Sequence, residues 1–133
     1  MIVDDDSDIR QALTVVLEGK YELKTASGRE EAVEILKAYS PELIILDVMM
    51  ETMSSGFDLS REIKKDKRFA GTKILMLTNV DSATNIDFKS SAGDPDWLPV
   101  DDYLSKPIEP KVLMQKVANL IARGAHPQFH PFL

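Results

Sequence analysis

The sequence contains no cysteine and only two histidines, His126 and His130, both near its C-terminal end. Without cysteine the chain has no disulfide, no thiolate nucleophile and no Cys-ligated metal site. Two histidines beside prolines in the last residues argue against a catalytic histidine or a His-rich metal centre. Side-chain oxygens and amines are therefore the groups with which this protein can do chemistry.

Long apolar runs are also absent, since no window approaches the roughly 18 apolar residues of a membrane-spanning helix. The first residues, MIVDDD, lack the basic and then apolar pattern of a signal peptide. We therefore expect a cytoplasmic protein that does not enter a membrane. The net charge of −6 and the pI near 4.9 oppose binding to nucleic-acid phosphates, so we expect no direct nucleic-acid partner.

The length of 133 residues, with 44% hydrophobic and 29% charged residues, is typical of one globular domain. We predict that this domain covers residues 1–124. Residues 125–133 are predicted to form a flexible tail, which includes the tetrapeptide His-Pro-Gln-Phe. This tetrapeptide resembles streptavidin-binding peptide tags, so an expression tag and a natural flexible end are both open interpretations.

Short apolar runs alternate with amphipathic segments along most of the chain, which is the pattern of a βα repeat with a parallel sheet. The predicted strands are 1–3, 21–25, 43–46, 73–78 and 102–105. The amphipathic segments predict five helices, among them 57–65, a short one over 83–90 and a last one from Pro110 to Gly124. Ser27 and Glu30 form a capping-box pattern for the second helix.

Side chains that can do chemistry stand where the predicted strands end. Asp4 and Asp5 follow the first strand, Asp47 ends the third, Thr78 ends the fourth and Lys106 follows the fifth. Ligands of open parallel sheets bind at these ends, and Asp5 comes within reach of Asp47 if strand one lies beside strand three. Clustered carboxylates repel one another and call for a bound cation. A site of oxygen ligands alone favours a hard metal such as Mg²⁺.

Four separated segments resemble the receiver domains of bacterial two-component response regulators. They are IVDDDSDIR at 2–10, LDVMM at 46–50, LT at 77–78 and YLSKP at 103–107. They occur in the order of that family and together span roughly residues 1–122. The resemblance implies an α/β fold of the flavodoxin-like type, with a doubly wound five-stranded parallel sheet of order 2-1-3-4-5 and helices on both faces.

The resemblance also implies a role for each acidic residue at the strand ends. Asp47 is the implied phospho-acceptor. Asp4 and Asp5 are the implied acidic pair that holds Mg²⁺ directly or through water, together with Asp47. The backbone carbonyl of Met49 is expected to complete the metal shell.

Three further residues have implied roles in binding the phosphoryl group or in signalling. Thr78 and Lys106 are expected to bind the phosphoryl oxygens. Thr78 is also expected to move toward the new phosphoryl group, which leaves a space that Tyr103 fills as an aromatic switch. The Lys106–Pro107 peptide bond is expected to be cis.

The implied function is reception of a signal in a two-component phosphorelay. Asp47 takes a phosphoryl group from a sensor histidine kinase or a histidine phosphotransfer protein, and the surface near the predicted helix 83–90 and the fifth strand changes. That surface controls a downstream protein or an output domain, or forms a phosphorylation-dependent homodimer. The expected chemistry is self-catalysed phosphoryl acceptance and slow autodephosphorylation, and not enzymatic turnover of a substrate.

Two alternatives stay open. A pseudo-receiver keeps the fold as a protein-interaction module and never turns over phosphate. A Mg²⁺-dependent phosphohydrolase uses an aspartate nucleophile, but such enzymes usually carry a second aspartate two residues later, where this sequence has Met49. Asp6 and Asp8 are explained as N-cap and helix-dipole residues and are not placed in the site.

Overall fold

A computed structural model describes residues 1–47, 55–79 and 100–129, with side chains over 1–47, 58–77 and 100–122. The strands are β1 (Ile2–Val3), β2 (Thr25–Ala26), β3 (Leu43–Asp47), β4 (Lys73–Asn79) and β5 (Asp102–Lys106). The α-helices are α1 (Ser7–Leu17), α2 (Arg29–Leu36), α3 (Ser55–Lys65) and α4 (Pro110–Phe129). A 3₁₀ turn at Lys67–Phe69 precedes β4.

The five strands form one parallel sheet of order β2-β1-β3-β4-β5. Parallel neighbours cannot be joined by tight hairpins, and α1, α2 and α3 serve as crossover connections between them. Every residue of β3 is buried, because this central strand has helices against both of its faces. The predicted fold class and strand order are confirmed.

Alternate residues of each strand enter two separate cores. Val3 and Ile44 belong to a core with side chains of α2 and α3, whereas Ile2 and Ile45 belong to a core with side chains of α1 and α4. This division follows from the two-residue period of a strand, in which successive side chains leave opposite faces of the sheet. The helices therefore cover both faces, and the carboxyl ends of the strands lie between them.

Two predictions about the second βα unit are wrong. β2 is Thr25–Ala26 and not 21–25, because the neighbouring β1 has only two paired residues and the ladder can be no longer than that. The N-cap of α2 is Gly28, which makes no side-chain cap hydrogen bond. The carboxylate that accepts a hydrogen bond from the Ser27 backbone, at 2.7 Å, belongs to Glu31 and not to Glu30.

The prediction that the last helix ends at Gly124 is also wrong, since α4 continues to Phe129. Glycine inside a helix costs about 1 kcal/mol relative to alanine but still supplies its backbone N–H, so it does not have to end a helix. The assignment of 125–133 to a tail outside the domain stays a prediction. The helix predicted over 83–90 lies outside the described residues.

Among the helices that the structure describes, none is both long enough and apolar enough to cross a membrane.

Candidate functional site

The strand register brings two aspartates side by side at the carboxyl edge of the sheet. Val3 of β1 lies opposite Leu46 of β3, so Asp4 and Asp47 are the next residues of two adjacent parallel strands. Successive side chains of a strand point to opposite faces of the sheet, and Asp4 and Asp47 each lie two residues after a residue that faces α1 and α4. The same holds for Lys106 at the end of β5. Three charged side chains therefore lie on one face of the sheet, at its carboxyl edge.

A cluster of three carboxylates results. Oxygen atoms of Asp4, Asp5 and Asp47 all lie within 4.8 Å of one another. Asp4 is fully buried, Asp47 is 4% exposed, and Asp5 is exposed to solvent. The predicted grouping of these three residues is therefore present in the structure, with two members inside the protein and one at its surface.

Asp4 is held at several atoms. Its backbone N–H donates to the Ala26 carbonyl at 3.1 Å, and its Oδ1 accepts from the Asp6 backbone N–H at 2.9 Å. Asp4 Oδ2 has no hydrogen-bond partner, which holds for no other buried side-chain nitrogen or oxygen in the part of the chain described. A buried carboxylate oxygen without a hydrogen bond is costly, so its position demands a physical reason.

The pKa of Asp4 reflects this environment. Burial raises the pKa from 3.8 to about 6, because desolvation disfavours the charged form. The hydrogen bond from the Asp6 backbone lowers the pKa, the charge of Asp47 raises it, and the charge of Lys106 lowers it. Burial is the largest of these effects, and Asp4 consequently takes up a proton more readily than an exposed aspartate does.

Lys106 provides the positive charge at this edge. Its Nζ lies 3.6 Å from Asp4 Oδ2 and 3.6 Å from Asp47 Oδ2, and its side chain is 23% exposed. These distances are short enough for ionic attraction but long for hydrogen bonds. One ammonium group thus faces two buried carboxylates. The Lys106–Pro107 peptide bond is cis, as predicted.

The other predicted site residues are positioned as follows. Thr78 is paired with Ser105 in the β4–β5 ladder, at the same edge of the sheet, and its side chain lies outside the described part. Met49 also lies outside the described residues. Tyr103 is half-buried and packs against the core that α2 and α3 share, so its ring is not part of the carboxylate cluster. Lys116 Nζ lies 5.8 Å from the centre of the Tyr103 ring.

One residue of the site was given no role in the sequence analysis. Arg10, in the first turn of α1, donates from Nη1 to the backbone carbonyl of Asp4 at 2.7 Å. A cation is electrostatically disfavoured at the N-terminal end of a helix. This unfavourable position can be seen in the sequence and indicates that Arg10 has a specific partner, but it does not show that the partner is the Asp4 carbonyl. Asp6, in contrast, caps α1 as predicted, with its carboxylate accepting from the Asp8 N–H at 2.9 Å.

The residues present fit a small divalent cation. All three side chains offer oxygen, which is the ligand type that Mg²⁺ prefers, and no sulfur or imidazole is available in the cluster. Asp4 Oδ2 is a buried acceptor without a hydrogen bond, and a bound cation would satisfy it. The three carboxylates together with the Lys106 ammonium have a negative net charge. The cluster therefore has the ligand chemistry and the charge of a Mg²⁺ site.

Comparison with known families decides where the chain belongs. The family described as "Response regulator receiver domain" matches residues 1–118. The chain belongs to this family. The receiver domain resembles curated regulators along its length. It is 32% identical to the phosphate regulon transcriptional regulatory protein PhoB of Pseudomonas aeruginosa over 124 residues, which are 92% of this chain and 51% of that protein.

A second relative has a similar relationship to this receiver domain. The DNA-binding response regulator MtrA of Mycobacterium tuberculosis is 29% identical over 125 residues, which are 93% of this chain and 50% of that protein. The receiver domain thus spans about half the length of these curated relatives.

Solved structures support the same assignment. A response regulator of Chloroflexus aurantiacus is 33% identical, with a TM-score of 0.75, and the match covers 91% of this chain and 94% of that one. The chemotaxis response regulator CheY4 of Vibrio cholerae is 28% identical, with a TM-score of 0.74, and the match covers 90% and 94%. The receiver domain is a signal-reception module of the two-component type.

Proposed function

We propose that this receiver domain accepts a phosphoryl group on Asp47, with Mg²⁺ held by Asp4, Asp5, Asp47 and the Met49 carbonyl. The observation that supports it most is the cluster in which the buried Asp4 Oδ2, which has no hydrogen bond, lies beside Asp47 and Lys106. Intact-mass spectrometry after incubation with acetyl phosphate and Mg²⁺ is the test. One added phosphoryl group on the wild type and none on Asp47→Asn supports the proposal.

The proposed step needs little covalent help from the protein. A carboxylate oxygen of Asp47 forms a bond to phosphorus while the bond between phosphorus and the donor breaks. The electron pair of the broken bond leaves with the donor, which for phosphohistidine is an imidazole that takes up a proton. Such transfers depend mostly on positioning and on neutralising the charge of the phosphoryl oxygens.

Each residue of the cluster has a part in that neutralisation. Mg²⁺, when bound, offsets negative charge on the phosphoryl oxygens and on the carboxylates. Lys106, which faces both Asp4 and Asp47 at 3.6 Å, is placed to move its charge to a phosphoryl oxygen on Asp47. The Thr78 hydroxyl is proposed to donate a hydrogen bond to the same group. The β4–β5 ladder brings Thr78 and Lys106 to one edge of the sheet.

Replacing Lys106 with methionine should change Mg²⁺ affinity and phosphorylation in opposite directions. Methionine keeps most of the side-chain volume but removes the ammonium that competes with a metal ion for two carboxylates. We expect the Mg²⁺ Kd to fall several-fold, by relief of charge repulsion. We expect the rate of phosphorylation by acetyl phosphate to fall about 100-fold, because the phosphoryl oxygens lose a charged partner.

Calorimetry with Mg²⁺ and time-resolved intact-mass spectrometry measure the two effects. The matched control is Lys37→Met, which removes the same charge from an exposed ion pair with Glu34 on α2. Lys37→Met should behave as the wild type in both assays. Weaker Mg²⁺ binding by Lys106→Met would contradict the competition between lysine and metal.

The proposed output surface includes Tyr103 and its surroundings. Tyr103 is half-buried on the edge strand β5, and Lys116 of α4 lies near its ring while donating to both Asp102 oxygens at 3.1 Å. A movement of Thr78 toward a phosphoryl group on Asp47 would open space beside β5. We propose that the Tyr103 ring turns into this space and that a downstream protein, an output domain or a second copy of the domain then binds the altered surface.

Phosphorylation should therefore change the NMR signals of the Tyr103 ring. Tyr21 and Tyr39 are internal controls, because both line a cavity beside Met1 and Leu43, where β1 and β3 begin, at the opposite end of the sheet. In a domain with ¹³C-labelled tyrosine, acetyl phosphate and Mg²⁺ should shift the Tyr103 signals and leave the other two in place. The same treatment of Asp47→Asn should shift none. Unchanged Tyr103 signals in a phosphorylated domain would contradict the proposed switch.

Two alternatives are separated by metal binding and turnover. The pseudo-receiver alternative predicts no phosphoryl group on Asp47, and a cluster that binds no Mg²⁺ would favour it. The phosphohydrolase alternative predicts multiple turnover of a phosphoester. Membership in the receiver family supports signal reception over hydrolysis.

A further inference from the structure

The turn that carries the acidic pair is held at both ends by one arginine. Arg10 donates its backbone N–H to the Asp6 carbonyl at 3.0 Å, which closes the first turn of α1. Its side chain reaches further back and donates from Nη1 to the Asp4 carbonyl at 2.7 Å. Arg10 is therefore bonded to both ends of the Asp4–Asp6 turn, and of these two bonds the one to the Asp4 carbonyl depends on its side chain.

The acceptor that Arg10 uses is informative. Within the described part of the chain, no carboxylate lies within ion-pair distance of its guanidinium, although Asp4, Asp5, Asp6 and Asp8 are all near in sequence. The guanidinium binds a neutral carbonyl instead, and a hydrogen bond from a charged donor is stronger than one between neutral groups. The carboxylates of the cluster thus stay available for a cation.

All polar atoms of Asp4 except one take part in a hydrogen bond. The Asp4 N–H donates to the Ala26 carbonyl, and the Arg10 guanidinium donates to the Asp4 carbonyl. The Asp6 N–H donates to Asp4 Oδ1. With the backbone held on both sides and one carboxylate oxygen bound, Oδ2 is the oxygen of Asp4 that has no hydrogen bond. Ligands that are fixed in this way bind metal more tightly than ligands that must first be ordered.

We propose that Arg10 is a positioning residue for Mg²⁺, which acts through the Asp4 carbonyl to hold the Asp4 carboxylate in its ligand position. This inference rests on the proposed function of the cluster. Arg10 has the opposite charge to the three carboxylates, and its side chain contacts the cluster through the backbone carbonyl of Asp4.

Because Arg10 is positively charged, the direction in which its removal changes Mg²⁺ affinity distinguishes two possible roles. If Arg10 acted only as a nearby positive charge, removing it would strengthen Mg²⁺ binding, because like charges repel. If Arg10 acts by positioning Asp4, removing it weakens Mg²⁺ binding. For Arg10→Gln we expect the Mg²⁺ Kd to rise about tenfold, as for other losses of a partner behind a metal ligand. Arg10→Lys, with the charge and one donor retained, should lie between Arg10→Gln and the wild type.

Isothermal titration with Mg²⁺ in the absence of any phosphodonor gives the Kd, and melting curves in EDTA and in Mg²⁺ give the stabilisation by the metal. The matched control is Arg68→Gln, which removes the same charge from an exposed ion pair with Asp66, in the turn before β4. Arg68→Gln should bind Mg²⁺ as the wild type does.

The outcomes separate the inference from the function on which it rests. A wild type that does not bind Mg²⁺ overturns both. A wild type that binds, with Arg10→Gln binding equally or more tightly, overturns the positioning role alone. A lower Tm of Arg10→Gln in EDTA, with an unchanged Mg²⁺ Kd, also overturns it, because Arg10 would then support the fold only. A raised Kd in Arg10→Gln with partial recovery in Arg10→Lys supports it.

Discussion

The Asp47→Asn variant should take up no phosphoryl group from acetyl phosphate and Mg²⁺, whereas the wild type should gain the mass of one. Asparagine has almost the same shape as aspartate, but its neutral amide cannot form the acyl phosphate. The substitution also removes a negative charge next to the buried Asp4, so the fold should be retained. We expect complete loss of the adduct, which is the largest effect predicted for this protein.

The control for this experiment is Asp58→Asn. Asp58 is an exposed residue of α3 that pairs with Arg61 three residues later, and such surface pairs contribute little to stability. Asp58→Asn should be phosphorylated as the wild type is. An adduct of equal yield on Asp47→Asn would mean that another residue accepts the group. A wild type that forms no adduct would favour the pseudo-receiver alternative, and more strongly if it also binds no Mg²⁺.

Asp4→Asn should make the metal-free domain more stable near pH 7.5 while it removes the response to Mg²⁺. The wild-type Asp4 carboxyl has a pKa raised by burial to about 6, against 3.8 in the unfolded chain. Because the folded state binds the proton more tightly, the free energy of unfolding falls as pH rises from about 4 to above 6. Neutral asparagine avoids this loss, which amounts to about 1–3 kcal/mol.

Melting curves in EDTA at several pH values test the sign of this effect. Near pH 7.5 the Tm of Asp4→Asn should exceed that of the wild type by about 5 °C or more. Near pH 4.5 the wild-type carboxyl is protonated in the folded state, so the two Tm values should converge. A difference that persists unchanged at pH 4.5 would contradict burial of the Asp4 charge as its cause.

Mg²⁺ should reverse the order of stability at neutral pH. The metal stabilises the wild type by binding its folded state, and it should do little for Asp4→Asn, which lacks a charged ligand. Because protons and metal compete for Asp4, the affinity of the wild type for Mg²⁺ should fall as pH drops below about 6. Asp5→Asn is the comparison variant. Asp5 is exposed, so its loss should weaken Mg²⁺ binding with little change of Tm in EDTA.

The predictions for Asp4→Asn concern a trade-off that is built into the site. A buried carboxylate oxygen without a hydrogen bond lowers the stability of the metal-free protein but provides a ligand for a cation. Asp4→Asn, which removes this buried charge, should therefore stabilise the metal-free fold and abolish Mg²⁺ binding together. Arg10 and the Asp6 backbone keep the Asp4 carboxylate in its position despite this cost.

Much of the fold could be predicted because its signals are local. The apolar run 43–46 is buried on both faces, and a strand of that composition has few other stable environments. The N-cap at Asp6 follows from the side chain of one residue, and the strand ends at Asp47 and Lys106 follow from abrupt changes in polarity. The errors at β2 and at Gly124 arose where the outcome depends on a neighbouring strand or on tolerance of glycine within a helix.

The sequence by itself therefore determined the βα order and the residues that stand at the strand ends. The tertiary structure decided how these residues meet. The β1–β3 register sets Asp4 beside Asp47, and the alternation of side chains along β5 places Lys106 on the same face of the sheet. The partner of Arg10, and the carboxylate oxygen of Asp4 that stays unpaired, depend on distances between groups in different elements. Hydrogen bonds and ionic interactions act over a few ångströms in space, so residue spacing along the chain could not predict them.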